Sequence, residues 1–190
     1  VFLSSCARKY VITSIKGEYI PVNQTSHPDV KMVDLVNHYK TQLDVKMNKV
    51  IGRSALFMDK GIPESLLTNF TADVMLQFKD PQHTNNLPID LAFMNVNGHR
   101  SAIPQGDITV GDIFSTYSFE NEVVIVRLKG TFLKEAFEAY TKQGGGGISK
   151  SVKLRIKDKI LLESKINGQD IDLDRVYTIV TIDYLAEGND

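Results

Sequence analysis

The stretch from Val152 to Ile182 constrains the fold more than any other part of the chain. It reads as three β-type runs, Val152 to Ile156, Ile160 to Ile166 and Tyr177 to Ile182, the first pair joined at Lys157 to Lys159, with a further turn at Asn167-Gly168. Strands that follow one another this closely pair as neighbours. Upstream, helical and strand patterns alternate irregularly. The combination favours an α+β fold over a doubly wound sheet.

The other elements follow from period and punctuation. Residues 10 to 22 (YVITSIKGEYIPV) read as two short strands around Lys16-Gly17, and NQTSHPD after them as a loop. From Pro28, the spacing of Met32, Leu35, Val36, Tyr39 and Leu43 predicts an amphipathic helix to about residue 46. Val50-Ile51-Gly52 is a strand entry. Pro63 is placed as the first residue of a second helix, with Glu64 near its positive end and Leu66, Leu67, Phe70, Val74 and Phe78 as its buried stripe. Lys79 to Pro88 is a polar loop, and Ile89 to Met94 a buried strand. Asp107 to Thr116 contains a short helix, and Glu122 to Leu128 is a strand. Lys129-Gly130 turns into a helix with Phe132, Leu133, Ala136, Phe137 and Tyr140 on one side. The glycines 144 to 147 end it and read as a flexible loop, because a phosphate-binding loop needs a following Lys-Ser/Thr or a strand-to-helix context.

At 190 residues and 42% hydrophobic content, the chain can bury one sizeable core, and a single domain is the prior. A formal net charge of −1 gives no broad footprint for nucleic acid or an anionic membrane, so any anion must be held by a local site. The single cysteine, Cys6, excludes an internal disulfide and a Cys-based zinc site. Its context, VFLSSC, resembles the tail of a signal peptide and a bacterial lipobox. That predicts lipidation at Cys6 and an exported lipoprotein on a periplasm-facing membrane or the cell surface, touching the membrane through its lipid anchor only. The expected layout is a leader tail over residues 1–6, strands and linker over 7–27, and one domain over 28–190. His27, His38, His83 and His99 are scattered without metal-ligand spacing, and GxSxG, GxGxxG and Walker sequences are missing. The residues therefore offer no catalytic set and no cofactor site of their own.

The run LAFMNVNGHR (91–100) puts two asparagines, a glycine and an arginine directly after apolar residues, more polarity than a hairpin turn requires. Three blocks, taken in order, resemble the C-terminal, nucleoside-binding domain of the 5'-nucleotidase / UDP-sugar hydrolase family. PESLLTNFTADVM (63–75) is similar to the family's E-S-x-L-G-N-L-x-A-D-A-M helix. LAFMNVNGHR with IPQGDITVGDIFSTYSFENEVVIVRLKGTFLKEAFE resembles its N-x-G-G-x-R turn, I-x-x-G-x-I-T stretch, P-F-x-N strand lead and the helix after L-x-G. INGQDIDLDRVYTIVTIDYLAEGND (166–190) resembles its final strand and F/Y-L-A-x-G-G-D loop. The resemblance covers about residues 28 to 190 and implies layered mixed β-sheets flanked by helices.

By that resemblance Asn95 reads the base edge, Gly98 gives the ligand clearance, and Arg100 offers a fork of donors to ribose or phosphate. Phe119 and Tyr184 would sandwich the nucleobase, and Asp190 would accept hydrogen bonds from the ribose hydroxyls. On the residues alone, the same positions read equally as a β-turn with an exposed arginine, a core phenylalanine and a tyrosine ending a strand. The chain departs from the pattern at several places. Pro63 stands where the family has an arginine, Thr68 replaces a glycine, Asn97 the first glycine of the turn, and His99 an aliphatic residue. Ser118 replaces a proline and Asn189 a glycine. The family's metallophosphoesterase motifs, which hold two metal ions that activate water, do not occur. The resemblance thus implies an adenosine- or AMP-like ligand in nucleotide catabolism or scavenging. Hydrolysis and its divalent metals would belong to a separately encoded metallophosphoesterase. A non-catalytic surface nucleoside-binding protein is the alternative.

Overall fold

The computed structural model describes residues 10–23, 27–79 and 88–189. Cys6 and Asp190 lie outside these residues. By compactness the chain divides into two units, Val1–Thr41 and Gln42–Asp190.

In the first unit, residues 10–23 form no strand, so the two strands expected around Lys16-Gly17 are absent. Tyr10, Val11, Ile12, Ile15, Tyr19, Ile20 and Val22 are all exposed. Strand propensity is expressed only where a neighbour completes the ladder and covers one face, and none does here. The helix α1 (Val30–Met47) starts where Asp29 caps it, its carboxylate accepting from the N–H groups of Lys31 at 2.9 Å and Met32 at 3.2 Å. The helix is as predicted, although none of its residues is buried.

The second unit opens with β1 (Val50–Ser54), α2 (Leu66–Met75), β2 (Leu91–Met94), β3 (Gly106–Thr109) and α3 (Val110–Thr116). It continues with β4 (Val123–Lys129), α4 (Gly130–Gln143), β5 (Gly147–Ile148), β6 (Val152–Lys157) and β7 (Ile160–Ile166). It ends with β8 (Gln169–Asp170), β9 (Val176–Ile182) and α5 (Asp183–Ala186). Among the described residues three sheets result: β1-β3, β4-β9-β2-β5 and β6-β7-β8. The four-stranded sheet is mixed, because β2 runs parallel to β9 whereas β4 and β5 pair antiparallel with their neighbours. The fold is α+β with layered mixed sheets, as the sequence implied.

Strand β9 lies inside this sheet and is buried from Tyr177 to Ile182. Its period of two divides it between two apolar clusters. Tyr177 and Ile179 join Leu91 with Leu133 and Phe137 of α4 and Val152 and Ile166 of the β6–β7 hairpin. Val180 and Ile182 join Ala92, Met94 and Met75 of α2. The sheet is therefore a middle layer with α4 on one face and α2 on the other. Its two central strands are tied where β2 begins by Asp90, which accepts from the N–H of Thr178 on β9 at 2.9 Å and from the Arg175 guanidinium at 2.5 Å.

Helix α2 departs from expectation at its start and on its buried face. It begins at Leu66 behind an N-cap at Ser65, whose hydroxyl accepts from the N–H of Thr68 while Thr68 returns a bond to the Ser65 N–H. Pro63 precedes the helix. The buried residues are Leu67, Thr68, Thr71, Ala72 and Met75, whereas Leu66, Phe70 and Val74 are exposed. Shape explains the rotation. A Cβ on Gly147 would lie 2.9 Å from the Thr68 carbonyl oxygen, so at Thr68 the helix meets β5 at backbone contact.

The glycine run is packed, not flexible. Gly144 caps α4 in the left-handed conformation, the Gly146 N–H donates to the Pro63 carbonyl at 2.9 Å, and Gly147 pairs with Met94 in the sheet. These residues are small because backbone passes over them.

Candidate functional site

Two clefts adjoin the C-terminal end of β2, and Met94 lines both. The larger, about 580 Å³, lies on the α4 face of the sheet, between Phe93, Val126, Leu128 and Ile179 on one side and Ala136, Ala139, Tyr140 and Gln143 on the other. Its polar end is formed by Asn95, Asn97, Gly145, Gly146 and Asn189. The smaller, about 240 Å³, lies on the α2 face and is lined by Thr71, Met75, Gly98, Tyr117, Phe119, Asn121, Val123 and Ile182. An apolar body with a few convergent polar groups is the composition expected of a small-molecule site.

The sequence-predicted residues divide between these clefts. Asn95 lines the larger, and Gly98 and Phe119 the smaller. Arg100 lines neither, but its guanidinium lies 5.5 Å from the centroid of the Phe119 ring, a cation–π arrangement. Tyr184, on α5, also lines neither cleft, and its ring is not brought against Phe119 within one of them. Both rings are accessible, Phe119 at 53% and Tyr184 at 41% exposure, as stacking on a ligand requires. A Cβ at Gly98 would stand 2.4 Å from Asn95 Oδ1 and 2.5 Å from Met94 Cε, so a larger residue there would displace the ends of those two side chains.

The turn is held from three sides. The Arg100 N–H donates to the Thr116 carbonyl at 2.9 Å, which joins the turn to the end of α3 and so to the segment leading to Phe119. The Lys60 ammonium donates to the His99 carbonyl at 2.7 Å. The His99 ring, fully buried, meets Thr71 Oγ1 at 2.8 Å, and that hydroxyl meets the Tyr117 hydroxyl at 2.7 Å. Burial holds the His99 imidazole below its ordinary value, outweighing the Val96 and Asn95 carbonyls that would raise it. Burial pushes the Tyr117 hydroxyl up. In the larger cleft burial likewise pushes the Tyr140 hydroxyl up to about 12, and it donates to the Gly146 carbonyl at 2.5 Å. Tyr117 and Tyr140 are therefore neutral donors at physiological pH.

Sequence reasoning did not select Thr71, Tyr117, Tyr140, Gln143 or the glycine run for the site. One signal existed for His99, a titratable side chain in a position where the resembled family has an aliphatic one. Among the described residues, no group of three or more His, Cys, Asp or Glu side chains could hold a metal ion, so they do not fit a dimetal centre. No described helix is long and apolar enough to cross a membrane.

Comparison with known proteins agrees with this architecture. The family model for the 5'-nucleotidase C-terminal domain matches residues 49–190, well over half of the chain. Protein UshA of Yersinia enterocolitica is 29% identical over 182 residues, covering 92% of this chain and 32% of UshA. The 5'-nucleotidase of Homo sapiens is 24% identical over 208 residues, covering 94% of this chain and 36% of that protein. The trifunctional nucleotide phosphoesterase YfkN of Bacillus subtilis is 27% identical over 192 residues, 90% of this chain but 13% of YfkN. The chain thus spans about a third or less of the length of these relatives. A solved 5'-nucleotidase precursor from Thermus thermophilus shares the fold at a TM-score of 0.69 and 23% identity, over 83% of this chain and 34% of that one. Sequence match, fold and the ordered blocks agree: the chain belongs to the 5'-nucleotidase C-terminal domain family.

Proposed function

We propose that this chain binds a nucleoside or nucleotide of the adenosine/AMP type at the Asn95–Arg100 turn. It presents that ligand to a separately encoded metallophosphoesterase, which hydrolyses the phosphate ester in nucleotide catabolism or scavenging. The observation that carries the reading is the larger cleft. A volume of about 580 Å³ suits a nucleoside, its apolar walls suit a flat ring, and Asn95, the Gly145–Gly146 backbone and Asn189 offer hydrogen bonds at one end. Phe119, which lines the smaller cleft, and Tyr184, which lines neither, supply the stacking surfaces once ligand binding draws them to the larger cleft, and Asp190 supplies the ribose contact. Arg100 leaves the face of Phe119 to meet the ligand, since a charge-assisted bond to an anion is stronger than its exposed cation–π contact. Export and lipid attachment at Cys6 belong to the same proposal.

The purified chain incubated with AMP and divalent metal tests the division of labour. No phosphate release by the chain alone, and release on adding the metallophosphoesterase, is the expected result. Metal-dependent release by the chain alone refutes it.

One observation favours a second reading, a surface nucleoside-binding protein without catalysis. Pro63 packs against Gly145 and Gly146 beside the cleft and brings no positive charge, where the resembled family has an arginine. That reading expects adenosine to bind at least as tightly as AMP and no metallophosphoesterase to form a complex with the chain.

A further inference from the structure

His99 lies between Gly98 and Arg100, fully buried, in a hydrogen-bonded chain that the binding proposal does not use. The direction of each bond follows from what the atoms can do. Its Nδ1 faces the Val96 carbonyl at 3.3 Å, and a carbonyl only accepts, so Nδ1 carries the hydrogen. The buried ring is neutral, which leaves a lone pair on Nε2, and the Thr71 hydroxyl 2.8 Å away donates to it. Having given its one proton there, Thr71 Oγ1 accepts from the Tyr117 hydroxyl at 2.7 Å. The Leu67 carbonyl, also an acceptor 2.9 Å from Thr71 Oγ1, shares that hydroxyl proton with the imidazole.

The relay Tyr117 to Thr71 to His99 to Val96 thus joins three elements: the segment after α3, the helix α2 and the 95–100 turn. Two of these carry ligand-facing residues, since Phe119 follows Tyr117 by two positions and Arg100 follows His99 by one. An aliphatic side chain at 99 could fill the volume but could not bond to Thr71, and only the backbone N–H of residue 99 would still reach the Val96 carbonyl.

We propose that His99 is a positioning residue of this site: through Thr71 and Tyr117 it locks the Asn95–Arg100 turn to the segment bearing Phe119. This rests on the nucleoside reading above and identifies what sets that site's geometry. His99 itself does not touch the ligand.

The test uses the full chain and adenosine as probe, with variants at Thr71, the central link. Thr71→Val keeps the shape and removes the hydroxyl, leaving His99 Nε2 and the Tyr117 hydroxyl without their partner. It should weaken adenosine binding by about tenfold or more. Thr71→Ser keeps the hydroxyl and loses only a methyl, and its affinity should stay within about twofold of wild type. A purely structural role would make affinity follow packing, so a Ser variant as weak as the Val variant, or a Val variant as tight as wild type, overturns the proposal. The ring of His99 gives a readout that needs no ligand. Long-range proton–nitrogen NMR spectra should show the neutral Nδ1–H tautomer in wild type, and an Nε2–H tautomer overturns the relay. If wild type gives no heat with adenosine, the nucleoside reading fails by itself. Amide shifts in Thr71→Val then decide the inference: changes that reach Asn95–Arg100 and Phe119 support it, and changes confined to α2 overturn it.

Discussion

Replacing Gly145 with alanine tests the claim that the glycine run is packed structure beside the binding cleft. Gly145 has φ of +115°, and an added Cβ would lie 2.1 Å from the Pro63 carbonyl oxygen and 2.7 Å from its C and Cα. All three are backbone atoms that no rotamer change can move. The left-handed conformation contributes about 1–3 kcal/mol of strain for a residue with a side chain. Relief of the overlap by backbone shift contributes about 1–3 kcal/mol more. Gly168→Ala separates the two terms, because Gly168 has φ of +79° but nothing within 4 Å of the added atom. Both variants gain the same reduction in unfolded-chain entropy, which cancels in the comparison. Urea unfolding with unchanged m-values should place Gly145→Ala below Gly168→Ala by about 1–3 kcal/mol. Adenosine binding should weaken in Gly145→Ala alone, because Gly145 lines the larger cleft. Equal stability of the two variants would refute the packed reading.

Other consequences are as specific. Asp90→Ala removes the acceptor of the buried Thr178 N–H, while Arg175, half-exposed, regains water. The loss should be about 1–3 kcal/mol in urea unfolding, and a loss below about 0.5 kcal/mol would contradict the role given to this tie between β2 and β9. Thr109→Ala removes the hydroxyl that caps α3, accepting from the Asp112 N–H at 3.1 Å and donating to its carboxylate at 2.7 Å. It should cost about 1 kcal/mol, and a change within error would contradict the cap. His99 gives stability a pH dependence of defined sign. Its folded-state value is lowered below the unfolded 6.5, by burial first and with a contribution from the Lys60 cation, so the unfolded chain takes up the proton first as pH falls. The contribution is fully present above 6.5 and is lost as pH falls through the folded value. Wild type should therefore lose stability below that pH relative to His99→Leu, and parallel profiles for the two would contradict the buried neutral ring.

The parts of this fold that were legible in the sequence are those decided by local period. EVVIVRL became β4, LAFM became β2, and the closely spaced C-terminal strands fixed the α+β class, because in each the side-chain pattern alone selects the element. What was not legible depended on a distant backbone. The buried face of α2 rotates to Thr68 and Thr71 because β5 approaches at Gly147, and nothing in PESLLTNFTADVM indicates that neighbour. The two strands of residues 10–22 were wrong because propensity was read where no partner strand exists within the described chain. For the site, motif order located Asn95, Gly98, Arg100 and Phe119 on two hydrogen-bonded segments, whereas their division between two clefts, with Met94 lining both and Arg100 lining neither, was not legible. His99 was visible as an oddity. Its partners, 28 residues away on α2 and 18 away beyond α3, were not.

Calorimetric titration of the chain from Ala7 onward with adenosine and AMP, beside Tyr184→Ala and Phe119→Ala, tests the central claim most directly. The account predicts a single site for adenosine that weakens by about five- to hundredfold in each variant, as loss of one stacked ring requires. Absence of heat with either ligand, or unchanged affinity in both variants, would contradict it.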